Sequence, residues 1–114
     1  MRFVSIYKLS PDRFAAPASE AEMTAMGRLI GEMQAAGVLI DTGGTAPTDV
    51  SLRVRRAGSQ TTVTDGPFTE SKEVIGGYAV LDVQSKDEAI LWTRRFLDCA
   101  GDGVVELMEV TSGP

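Results

Sequence analysis

Apolar positions along this chain change their spacing several times, and each change marks an element. Phe3, Val4, Ile6, Tyr7 and Leu9 form a β-branched and aromatic run over residues 3–9 that ends at Ser10-Pro11-Asp12, so a strand followed by a turn is predicted. From Ser19 the spacing becomes helical. Ser19 and Glu22 have the spacing of a capping box, Met23, Met26, Ile30 and Met33 recur on one face, and Gly37 is a stop. Val38, Leu39 and Ile40 form a short buried strand that runs into a loop or bulge at Gly43-Gly44.

Residues 50–55 alternate strictly and, after Ala57-Gly58-Ser59, residues 60–64 return, which is the pattern of a β-hairpin. In that hairpin Val50, Leu52 and Val54 are expected to face the core, with Arg53 and Arg55 facing away. The run 76–83 is apolar on both faces, as a central strand would be. Ser85 and Glu88 repeat the capping box, and the helix they open directs Ala89, Ile90, Thr93, Phe96 and Leu97 to the core. After Gly101-Asp102-Gly103 a last strand covers 104–110. Strand, helix, strands, strand, helix, strand is an α+β order, which suits a ferredoxin-like antiparallel sheet with both helices on one face. Phe3, Tyr7, Tyr78 and Val80 are then expected on the other face, where a second copy packed sheet to sheet would cover them.

At 114 residues, 43% hydrophobic and 24% charged, the chain has the size and composition of one folded domain spanning 1–114. A net charge of -5 opposes nucleic-acid binding, and the basic cluster Arg53, Arg55 and Arg56 has no interleaved aromatics to stack bases. Cys99 is the one cysteine, so no intramolecular disulfide forms, and a reducing, cytoplasmic setting is expected. The chain has no histidine, which removes the usual general base and the commonest zinc ligand. No apolar run is long enough to span a membrane. Gly43-Gly44 and Gly76-Gly77 lack the spacing and lysine of a nucleotide loop, so no cofactor is expected, and Asp41, Asp49 and Asp65 are too scattered to predict a metal site.

The run Asp65-Gly66-Pro67-Phe68-Thr69-Glu70-Ser71-Lys72-Glu73, followed by Gly76-Gly77-Tyr78, closely resembles the motif that names the DGPF group of the YCII-related family. Ala36-Gly37-Val38-Leu39, Val54-Arg55 and Asp87-Glu88-Ala89 with Trp92 extend the similarity over nearly the whole chain. The resemblance implies a ferredoxin-like fold that dimerises into an α+β barrel, with a cleft near the motif aspartate. Some YCII-like enzymes pair a histidine with an aspartate; this chain supplies Asp65 and no histidine.

Two functions follow from these residues. In the first, an unidentified small molecule binds in a dimer cleft lined by Tyr7, Arg53, Asp65, Phe68 and Tyr78, with Asp65 as a candidate general base and Glu70 a further proton donor. In the second, the Asp65 motif is a structural turn, and the domain is a non-enzymatic regulatory or protein-interaction module. Such a role is suggested by relatives encoded beside alternative sigma factors.

Overall fold

A computed structural model of the chain describes residues 1–46, 51–66 and 73–111. Its elements are β1 (Arg2–Leu9), α1 (Pro11–Ala15), α2 (Glu20–Ala35), β2 (Leu39–Gly44), β3 (Leu52–Ala57), β4 (Gln60–Asp65), β5 (Val74–Asp82), α3 (Lys86–Ala100) and β6 (Val104–Glu109). Four strands form an antiparallel sheet in the order β2-β5-β1-β6, while β3 and β4 pair only with each other in a separate two-stranded sheet. Without that hairpin and the short α1 the order is β-α-β-β-α-β, and the strand order is compatible with a ferredoxin-like arrangement.

The helices begin where side chains can satisfy their first N–H groups. The Ser19 hydroxyl accepts from the Glu22 N–H at 3.1 Å, and the Glu22 carboxylate accepts from the Ser19 N–H at 3.2 Å, completing a capping box. At α3 the Ser85 hydroxyl accepts from the Glu88 N–H at 3.1 Å. The Ser10-Pro11-Asp12 turn grows into the short helix α1, because Ser10 caps it and Pro11 stands in its first turn. Arg13 of α1 reaches across to donate to the Ala100 carbonyl at 2.9 Å, tying α1 to the end of α3.

Register decides which side chains meet the helices. Phe3 pairs with Leu81, Ser5 with Ala79 and Tyr7 with Gly77, and this row faces the helices. Val4 pairs with Val80 and Ile6 with Tyr78, and that row faces away. The expectation that Phe3 and Tyr7 share the open face with Tyr78 and Val80 is therefore corrected: Tyr7 is 8% exposed in the core and Tyr78 38% exposed on the other side. Gly76 has no partner on β1 and forms a bulge opposite the Tyr7/Lys8 step. The Asp41-to-Gly44 segment, expected as a loop or bulge, continues β2 beyond a second irregularity between Leu39 and Asp41.

Several further side chains depart from the expected core, among them Ile40, which is 50% exposed on β2. Met23 and Ile90 are exposed on their helices, and Leu29 is buried instead, one step round α2 from the methionine stripe. In the hairpin, Leu52 and Val54 are each 65% exposed, and among the described residues β3 and β4 pack extensively only on each other. Val50 lies outside the described residues.

A candidate ligand cavity between sheet and helices

Two separate groups of buried residues hold the helices on the sheet. Phe3, Leu29, Met33, Val38, Leu81, Val83 and Ala89 form one, and Tyr7, Leu9 and Val74 form the other. Between them the sheet presents small residues in register: Ser5 beside Ala79, Thr42 on the other side of Ala79, and Gly77 beside Gly44. Large side chains prop the layers apart at both ends and small ones leave the middle unfilled. The result is a cavity of about 420 Å³, floored by these strands and roofed by Met26, Leu29, Ile30 and Met33 of α2 with Trp92, Thr93 and Phe96 of α3. That volume is within the range of small-molecule pockets, roughly 300–1,000 Å³.

The walls are braced. The Tyr7 ring meets Phe96 edge-on at 5.1 Å, and its hydroxyl donates towards the carbonyls of Gly101 and Asp102 at 3.4 and 3.3 Å. In the roof, Arg95 pairs with Glu32 of α2 and places its guanidinium 5.0 Å from the Trp92 ring centre. On the floor, the Thr42 hydroxyl donates to the Tyr78 carbonyl at 2.9 Å. On the open face beneath, Tyr78 folds its ring over Gly43, where a Cβ would stand 2.9 Å from the ring, and its hydroxyl donates to Asp41 at 3.0 Å.

That last bond raises the Tyr78 hydroxyl pKa above its ordinary 10.0, first through the hydrogen bond to Asp41 and then through the carboxylate's charge. Because the folded value is raised, the contribution to stability is present below pH 10.0 and is lost as pH rises through the folded value. Ultraviolet titration of tyrosinate should show Tyr78 ionising above the ordinary value in the wild type and at lower pH in Asp41→Asn. An unchanged titration would mean that the pair does not persist in solution.

The residues expected to form a site are not all brought together. Tyr7 lines the cavity, whereas Tyr78 stands in its floor on β5 with its side chain on the open face of the sheet, over Gly43. Asp65 is exposed at the end of β4, Arg53 is half-buried on β3, and neither lines it. Phe68 and Glu70 lie outside the described residues, as does Asp49. Among the described residues, no three acidic or thiol side chains gather as metal ligands, and no helix is long and apolar enough to cross a membrane. Ser5 and Ala79 were not recognisable as site residues from the sequence. The signal that finds them is two small side chains on helix-facing positions of neighbouring strands, and it needs the register to be seen.

Fold and cavity together define an α+β domain of ferredoxin-like strand order with an apolar chamber between its layers. The chain belongs to the YCII-related domain family, whose model matches residues 1–112. It is also similar to an uncharacterized protein of Rhizobium meliloti (strain 1021), with 40% identity over 48 residues, 42% of this chain and 39% of that protein. The matched part is thus well under half of the relative's length.

Proposed function

We propose that this domain binds a small molecule in the cavity between its sheet and helices and works as a homodimer of the DGPF subgroup. The observation that carries the reading is the cavity itself, a space of about 420 Å³ kept open by small residues in register under a braced helical roof. A folded core of this size ordinarily packs to crystal-like density with few voids larger than a water molecule. Apolar side chains that face an unfilled cavity leave contacts unmade, so a ligand that fills it would be favoured.

The dimer reading rests on surface that a lone chain leaves bare. Ile75, Tyr78, Val104 and Met108 are exposed on or beside the open sheet face, and Leu52, Val54 and Val63 form an exposed stripe on the hairpin. A two-stranded hairpin on its own is marginally stable in water, so a partner surface is needed to hold it. A second copy packed sheet to sheet, closing an α+β barrel, supplies that surface. Assembly in this way also offers Asp65 and Arg53 a route to a site that a single chain does not bring them to. The hairpin stripe supports one other reading, in which it receives a different protein and the domain is a regulatory module.

A thermal-shift screen of metabolites tests the main reading, because a ligand of the native state adds about 2.7 kcal/mol at a hundredfold excess over its Kd. The expected result is a set of hits whose shift is lost in Thr93→Leu, which fills the cavity from the roof, and is kept in Asp65→Asn. Hits lost only in Asp65→Asn would move the site to the hairpin. Sedimentation should give a dimer at micromolar concentration, and a monomer would remove the barrel from the account.

A further inference from the structure

The cavity lining carries chemical information beyond its size. We infer that its ligand is an uncharged, mainly apolar, flat ring system bearing one hydroxyl or N–H group, an inference that rests on the cavity being the functional site. Among the described residues that line it there is no aspartate, glutamate, lysine or arginine. A charged ligand entering such a space would shed its hydration without gaining a counter-charge, a large penalty that selects against ions.

The walls favour rings over flexible chains. Tyr7, Trp92 and Phe96 present aromatic surfaces, and the thioethers of Met26 and Met33 pack well against the edges of a further ring. Hydroxyl bookkeeping then sets the polar end. Thr42, Thr93 and Tyr7 have each committed their proton to an oxygen of the protein, to the Tyr78 carbonyl, the Ala89 carbonyl, and the Gly101 and Asp102 carbonyls respectively. What these groups can still offer is lone pairs. The Ser5 hydroxyl, in the middle of the floor, has no partner among the described residues and can accept or donate. A lining rich in acceptors and poor in donors matches a ligand that donates.

Phenylnaphthylamine, a neutral two-part aromatic with one N–H, is a probe of this class that fluoresces in apolar surroundings. Its close analogue anilinonaphthalene sulfonate keeps the aromatic parts and the N–H and adds a fixed negative charge. Both are titrated against the full chain as wild type, Ala79→Phe and Thr93→Leu, with circular dichroism to confirm the fold. One variant fills the cavity from the floor and the other from the roof, so a folding failure in one leaves the other to report. The neutral probe is expected to bind the wild type and to lose about tenfold or more in each folded variant, while the sulfonate binds the wild type about tenfold or more weaker, the penalty for an unpaired charge. If both probes bind the wild type equally and both are lost in the variants, the cavity is a site but the ligand class is wrong. Binding that the variants leave unchanged, or no binding of the neutral probe, overturns the site itself together with the inference.

Discussion

Leu81→Ala is expected to destabilise the protein by about 2–5 kcal/mol, the range for emptying a buried leucine site. Leu81 is 2% exposed on the central strand β5, pairs with Phe3 on one side and Leu39 on the other, and belongs to the larger group of buried residues. It also borders the cavity, so the lost side chain enlarges a space that is already open instead of one that can collapse. The loss is a large part of the roughly 5–15 kcal/mol that holds an ordinary domain together. Chemical denaturation should show the midpoint falling with little change in slope. A loss below about 1 kcal/mol would mean that the layers close over the gap, against the propped arrangement described above.

Gly77→Ala should also be damaging, for a different reason. A Cβ at Gly77 would stand 2.9 Å from the Gly43 carbonyl oxygen on the neighbouring strand, and backbone cannot swing aside as a side-chain end can. The β2–β5 pairing would have to splay, at a cost of about 1–3 kcal/mol typical of overpacking. Gly31 in the middle of α2 gives the opposite sign. A Cβ there meets nothing within 4 Å, so Gly31→Ala should stabilise the helix by about 0.5–1 kcal/mol. Thermal melts of the two variants against the wild type should diverge in opposite directions. Equal melting of all three would contradict the strand spacing on which the cavity floor depends.

How much of this was legible in the sequence differs by level. Local signals were enough for the elements: the Ser19 and Glu22 spacing placed the start of α2, and the apolar run through Tyr78 and Leu81 marked β5 as central. Pairing information was not local. Side chains alternate with period two, so a one-residue change in how β1 meets β5 moves a whole row to the other face. That is why Tyr7 and Tyr78, expected together on the open face, stand on opposite sides of the sheet: Tyr7 is level with Gly77, and Tyr78 with Ile6 one row away. The cavity was invisible for the same reason, since Ser5, Gly77 and Ala79 are unremarkable until the register sets them side by side. The hairpin shows a third limit. Alternation marked the strand that β3 covers from Leu52, but it could not say that Leu52 and Val54 would stand exposed instead of facing the core.

The motif around Asp65 illustrates the separation of recognition from chemistry. Its residues carried the resemblance that placed the chain in its family, and the family model covers nearly the whole chain. A shared fold does not carry a reaction with it. The geometry within one chain leaves Asp65 exposed on the hairpin and puts the cavity elsewhere.

The central claim is that a small molecule enters between sheet and helices, and the chain's five methionines allow a direct test. Met26 and Met33 line the cavity, whereas Met1, Met23 and Met108 do not. With methionine methyl groups labelled for NMR, adding phenylnaphthylamine should shift the Met26 and Met33 resonances and leave the other three in place. Movement of Met108 or Met23 with Met26 and Met33 unmoved would place the ligand on an outer surface and contradict the account.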